Sequence, residues 1–342
     1  MKKKVTIREV AKAAGVSLGT ASRALNRTGR VSEKAIAGVT KVARDLGYEP
    51  NFVARSLRTR SSGVVGLLVS DLANPLYAQI ITAAEEAFQA AGYALLVAST
   101  HNESKREKSL IDLFRGRRVD GLILGPCETE SAEMIDRAAI DMPVVALDRD
   151  YGSGASGVHV DHYSGALQAT RYFLNLGHSR VALLTPGAEL RPGRERIAGF
   201  KAAFSEKGLE VTPGFIRMEK SAMEFAFSDA LSLLSLQRRP TAFICLGTRI
   251  LAGVLHAIRH TGLKVPDDVS VISIGDTDLS ELVVPRISSL NWDLDVVGKA
   301  AAQLLLKQLD IGLANSIPEH IQISTRMILR DSCAPYKEEI AL

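Results

Sequence analysis

From Val64 onward, short apolar runs alternate with segments of helical periodicity, and this alternation leaves the chain few ways to fold. GVVGLLV precedes a helix from about Pro75 to Ala91, YALLVAS one from about Glu103 to Arg115, VDGLILG a short helix, and then comes PVVALD. A second series begins at VHVD. It continues through a helix from Tyr163 to Leu176, RVALLT, a helix from Arg194 to Lys207, another near Phe225 to Leu234, TAFICL, a helix from Arg249 to His260, and VSVISIG. The pattern predicts an α/β fold with a doubly wound parallel sheet made twice, giving two lobes with a cleft between them. ISSLNW, a long helix from Leu294 to Leu309, HIQIST and RMILR follow, so the chain is expected to cross between lobes again.

Ahead of this body, TIREVAKAAGVSLGTASRALN (residues 6–26) reads as two short helices joined by a tight turn. Thr6 and Glu9 make a capping box, Gly15 supplies the left-handed turn residue, and Ser17 caps the second helix. Ile7, Val10, Ala11 and Ala14 share one face of the first helix. Ala21, Ala24 and Leu25 face inward on the second, leaving Leu18, Gly19, Ser22 and Arg23 outward. Ser32 caps a third helix carrying Ile36, Val39, Val42, Ala43 and Leu46, which ends at Gly47. After Pro50, Asn51 caps a short segment with Val53, Ala54 and Leu57. A helix of that length is unstable alone and is expected to order on binding.

Charge separates this head from an ordinary helical hairpin. Residues 1–60 hold fourteen Lys and Arg against four acidic side chains, a net +10, whereas the whole chain is +4 and the remainder therefore −6. A basic helical module of this kind is an electrostatic footprint for phosphates, and its second helix has the form that enters a DNA major groove.

At 342 residues, 46% hydrophobic and 23% charged, the composition is that of an ordinary soluble protein. Cys127, Cys245 and Cys333 lack CxxC spacing and are expected to be reduced and structural. No apolar h-region follows Lys2–Lys4 and no run approaches the ~18 residues of a membrane span, so a cytoplasmic protein without membrane contact is expected. Gly152, Gly154 and Gly157 have GxGxxG spacing, but strand-like VHVD follows where a dinucleotide site needs a helix N-terminus. Neither a nucleophile elbow nor a P-loop occurs. His101, His159, His162, His178, His256, His260 and His320 are scattered and read as ordinary residues. No enzyme activity, cofactor or metal site is expected.

VAKAAGVSLGTASRALN, RVSEKA, LGYEPNFVARSL, DLANPLYAQI, RVDGLIL, PVVALDRD, VHVDHYSGA, LGHSRVALL, RERIAGF, GLKVPDDVSVI and PRISSL resemble, in order and over nearly the whole chain, transcription regulators of the LacI/GalR (lactose/galactose/purine repressor) family. The resemblance implies a helix-turn-helix head at 1–60 with a hinge helix at about 51–59. It also implies a periplasmic-binding-protein type core at 61–342 that binds an effector and dimerises. The first lobe is placed at about 61–160 plus 292–318, the second at about 161–291 plus 319–335.

By the same resemblance, DNA is met by Thr6, Ser17, Leu18, Gly19, Thr20, Ser22, Arg23, Asn26, Arg30, Asn51, Ala54 and Leu57. Leu18, Gly19 and Arg23 take the main base-reading positions. Arg23 suits guanine O6 and N7, Leu18 suits a thymine methyl, and Leu57 matches a hinge leucine that wedges into the minor groove. Leu76, Tyr77, Asp148, Asp161 and Arg196 match pocket positions, and Arg149, Arg194, Ser221, Gly247, Asp276 and Trp292 are further effector-site candidates. Two polar anchors usual in sugar-binding members are replaced here by Gly247-Thr248 and Gly275-Asp276. Arg196 is retained, with Arg149, Arg191, Arg194 and Arg249 near pocket motifs. That pattern favours an anionic effector, such as a sugar acid or phosphorylated metabolite.

The expected function is a homodimeric regulator, most simply a repressor, binding palindromic double-stranded DNA under effector control. The alternatives are a solute-binding receptor-like protein, which would need export, and an α/β enzyme, which would need a catalytic constellation.

Overall fold

The computed structural model describes residues 5–27, 29–48, 61–125, 139, 142–150, 155–218, 223–312 and 315–337. The chain divides into a head up to Ser62 and a body from Gly63.

The head contains α1 (Ile7–Ala13), α2 (Leu18–Asn26) and α3 (Glu33–Asp45). At the start of α1 the Glu9 carboxylate accepts from the Thr6 amide at 2.7 Å and from its hydroxyl at 2.9 Å, closing the first turn. Gly15, at φ +66°, reverses the chain, and Ser17 Oγ then accepts from the Thr20 amide at 3.1 Å. Ser32 caps α3 in the same way through the Ala35 amide. Val10, Ala11, Ala21, Ala24, Val39 and Ala43 form the core, with Ile7, Leu25 and Ile36 packed around it. Leu46, expected on the buried face, is 40% exposed, because α3 has ended and Leu46 is its C-cap. The expected hinge helix lies outside the described residues.

The strands of the body are β1 (Val64–Val69), β2 (Ala94–Ser99), β3 (Leu122–Leu124), β4 (Val144–Leu147), β5 (Ser156–Val160) and β6 (Val181–Leu184). They continue with β7 (Ile216–Arg217), β8 (Ala242–Leu246), β9 (Ser270–Ile274), β10 (Ser288–Asn291), β11 (His320–Ile323) and β12 (Arg326–Ile328). The helices are α4 (Pro75–Ala90), α5 (Ser104–Gly116), α6 (His162–Asn175), α7 (Arg191–Glu206), α8 (Met223–Leu234), α9 (Gly247–His260), α10 (Asp278–Leu282) and α11 (Leu294–Ile311).

Two sheets result, with orders β11-β5-β4-β3-β1-β2 and β12-β10-β9-β8-β6-β7. All pairings are parallel except β12 against β10. Continuous apolar strands such as Val65 to Val69 and Val144 to Leu147 are buried throughout, as expected for parallel sheets covered on both faces.

The chain passes between lobes after β5, after β10 and after β11. The last crossing corrects the expected boundary: His320–Ile323 pairs with β5 in the first sheet, and only β12 belongs to the second. Helix α7 begins three residues earlier than expected because Pro192 sits in its first turn, where a missing N–H costs nothing. β7 and α10 were not anticipated.

Helix pairs cross at glycines. A Cβ on Gly298 of α11 would strike the Ile80 carbonyl of α4, and one on Gly199 of α7 the Tyr163 carbonyl of α6. Among the described residues no helix is long and apolar enough to cross a membrane.

Candidate functional site

On the head, the outward side of α2 carries the predicted base-reading residues. Leu18 is 44% exposed, and Gly19 and Arg23 are exposed as well. Arg23 lies against Gly29, whose Cβ position is 3.2 Å from Arg23 Cδ, so the turn after α2 backs the guanidinium stem. Thr20 Oγ1 is within 2.9 Å of Ser17 Oγ, and Asn26 Nδ2 donates to the Ser22 carbonyl at 2.7 Å. These four therefore brace the helix while Leu18 and Arg23 project. Thr6 and Arg30 are also exposed. Asn51, Ala54 and Leu57 lie outside the described residues.

In the body, a cavity of about 860 Å³ opens between the lobes where the strands of both sheets end. This is the crevice in which doubly wound folds bind ligands. Of the residues expected at an effector site, Leu76, Tyr77, Asp148, Arg149, Arg196, Gly247 and Trp292 line it.

Three of these residues and one unforeseen neighbour organise its floor. Asp148, just past β4, meets Nε2 of His162 at 3.1 and 2.9 Å and accepts from the Val160 amide at 3.2 Å. Arg196 Nη2 lies 3.2 Å from His162 Nδ1, and Nη1 is 3.5 Å from Thr185 Oγ1. Burial, reinforced by Arg196, pushes the His162 pKa down despite Asp148, so the ring is neutral. A neutral ring has one N–H: Nε2 donates to Asp148, and Nδ1 accepts from Arg196. Burial opposes ionisation of Asp148, but His162, Arg149 and Arg196 outweigh it and hold that carboxyl well below the usual carboxylate range. Burial lowers the Arg196 pKa to about 10, leaving it charged at neutral pH. Trp292 stands edge-on to His162 with centroids 5.6 Å apart.

His162 is thus a site residue that reading the histidines as ordinary misses. The signal was its place directly after Asp161, whose side chain caps α6 by accepting from the Ser164 amide at 2.9 Å. Asp161 itself caps rather than lines the cavity.

Other candidates fall elsewhere. Arg194 does not line the cavity; it forks onto Asp150 at 2.8 and 2.7 Å. Asp276 is also outside the lining, gripped bidentately by Arg330 at 2.8 and 2.9 Å and by Ser289 at 2.9 Å. Arg191 pairs with Glu195 at 2.7 Å. Arg249 does line the cavity, but it reaches Asp71 of the opposite lobe at 3.1 Å. Ser221 lies outside the described residues. Gly275, at φ +99°, brings its backbone against the other lobe: a Cβ there would be 3.3 Å from Leu76 Cδ1 and 3.7 Å from Trp292.

Residues 6–51 match the family model of bacterial regulatory proteins, lacI family, and residues 170–333 match a periplasmic binding protein-like domain. The HTH-type transcriptional repressor PurR of Vibrio campbellii is 31% identical over 307 residues, spanning 89% of this chain and 92% of that protein. The chain belongs to the lacI family. The HTH-type transcriptional regulator DegA of Bacillus subtilis is 30% identical, over 86% of this chain and 88% of its own. Among solved lacI-family structures, a lac repressor dimer bound to operator and the anti-inducer ONPF superposes with a TM-score of 0.85 at 24% identity, covering 97% of this chain and 100% of that one. The regulator CelR in complex with cellobiose gives 0.72 at 26%, covering 96% and 100%. As a member of the lacI family the protein is a DNA-binding transcriptional regulator, not an enzyme.

Proposed function

We propose that this regulator represses by binding a palindromic operator as a homodimer, with Leu18, Gly19 and Arg23 reading bases, and that a small anionic molecule in the inter-lobe cleft sets its operator affinity. One observation supports the anionic class. Arg196 is 94% buried in the cavity wall, yet its hydrogen bonds go to a neutral imidazole and a distant hydroxyl rather than directly to a carboxylate. A buried cation in that position is stabilised further by an anion entering the cavity. Helices α7 and α9 add to this: both start at the cavity without a side-chain cap, so their positive ends face it. Arg191, Arg194 and Arg249 add nothing, since each is matched by a carboxylate. The sugar acid and phosphorylated metabolite expected from sequence share the one property that Arg196 favours, a negative charge.

A gel shift on the DNA upstream of the protein's own gene, with and without a panel of small organic anions, tests this reading. Retardation of a palindromic site in preference to scrambled DNA is expected. One class of anion should change that affinity in the parent and not in Arg196→Met. Equal affinity for both DNAs, or an anion response unaltered in the variant, would refute it.

A further inference from the structure

Several polar groups that a sugar hydroxyl would use in this cleft are absent or already engaged. Gly247 and Gly275 present no side chain. Asp148 is held by His162 and the Val160 amide, Asp71 by Arg249, and Asp276 by Arg330. Asn74 Oδ1 caps α4 by accepting from the Leu76 amide, and the Tyr77 hydroxyl is engaged by Ser70. A polyhydroxylated ligand would have to share these groups with their present partners, and each hydroxyl left buried and unpaired would cost ~1–3 kcal/mol.

Beside the exposed polar side chains of His101, Asn102, Glu103 and Glu189, the cavity has an apolar wall on both sides. Trp292, Leu76 and Tyr77 face the cavity from one side, with Leu76 filling the space over Gly275 where a polar side chain would stand. Met218, Phe225 and Leu246 line it from the second lobe, with Met218 52% and Phe225 47% exposed. Large apolar side chains left in water around a concave site with a buried arginine fit a ligand that is mostly hydrocarbon with one charged end.

We propose that the effector is a small apolar carboxylic acid, aromatic or alkyl, whose hydrocarbon body lies between Trp292, Leu76 and Tyr77 on one side and Met218, Phe225 and Leu246 on the other, with its carboxylate turned toward Arg196. This rests on the cleft being the effector site. It narrows the anionic class to members without a sugar body.

Trp292 is the only tryptophan and forms part of the wall, so its fluorescence in the full-length protein reads occupancy, with thermal shift as a second readout. The probes are benzoate, phenylacetate, benzamide, gluconate, glucose 6-phosphate and galactose. Saturable responses to benzoate or phenylacetate are expected, with little from the three sugar-derived probes. Leu76→Asn should weaken the acid response about tenfold. Phe225→Ser, at the exposed rim, gives a second test should Leu76→Asn fold poorly. Binding of gluconate or glucose 6-phosphate with the apolar acids silent would overturn the inference while leaving the anionic cleft intact. Benzamide binding as tightly as benzoate would overturn the anionic reading itself. Silence of all probes, or unchanged acid affinity in both variants, would overturn the apolar-acid assignment.

Discussion

Asp148, His162 and Arg196 depend on one another, because each would be costly at the cavity floor without the next. Removing the imidazole leaves a partly buried carboxylate with only the Val160 amide as donor and a buried guanidinium with only the distant Thr185 hydroxyl as acceptor. His162→Ala is therefore expected to destabilise the body by about 3 kcal/mol, read from the shift in a urea denaturation midpoint. His162→Gln, which can still donate and accept, should lose less. Proton linkage gives a second expectation. Burial is the main cause that lowers the pKa values of His159, His162 and His178 from their ordinary 6.5. Below pH 6.5 the unfolded chain then binds protons that the folded chain refuses, so stability falls as pH falls. Unfolding temperature should drop steadily from pH 7.5 to 5.5. The drop should be smaller for His178→Asn, which removes the buried ring lying 2.9 Å from Thr241 Oγ1 and 2.9 Å from the Ala334 carbonyl. An unfolding temperature independent of pH over that range would contradict the buried neutral state of these rings.

Elements are joined by close crossings as much as by apolar surface. Gly298→Ala would raise the intrinsic helix preference of α11 by about 1 kcal/mol, yet it would drive a methyl into the Ile80 carbonyl and Ala83 of α4. We expect a net loss of ~1–3 kcal/mol by chemical denaturation, because backbone cannot move aside as a flexible side chain can. A neutral or stabilising result would mean that the crossing opens freely. Most elements were legible in the sequence, since apolar runs and helical periodicity extend far enough to register: α4, α5, α6, α8, α9 and α11 begin within about two residues of their expected starts. β7 has two residues and α10 five, too few for any period. In the cleft, lining residues carried by recognisable motifs were found, whereas the partners that disqualify Arg194 and Asp276 were not. Asp150 is 44 residues from Arg194 and Arg330 is 54 from Asp276, and no local pattern reports such pairings. His162 was missed for a related reason: its meaning comes from Asp148 and Arg196, which lie on other elements.

At the scale of the whole molecule, charge is divided between a head at +10 and a remainder at −6. Operator affinity should fall steeply with salt, by roughly 10³ or more between 50 and 200 mM for a protein displacing several counterions. A filter-binding series measures this, and a flat response would exclude the head as the DNA surface. Leu57→Ala is expected to weaken binding to the operator far more than to random DNA, since a wedge acts through bending while the Lys and Arg act on any phosphate. Equal losses would remove the wedge role. The strand crossings have a consequence for how the molecule is made. β5 is complete at Val160, but its outer neighbour β11 starts only at His320, about 160 residues later. At a synthesis rate of ~5–20 residues per second, β5 leaves the ribosome roughly 8 to 30 s before its partner. For that interval the first lobe has an unsatisfied sheet edge and lacks α11 against α4, the sort of surface that neighbouring nascent chains can pair with. The lobe begun first thus waits for β11 until nearly the end of synthesis, and growth temperature and translation speed should govern the yield of soluble protein more strongly than the stability of the finished fold does.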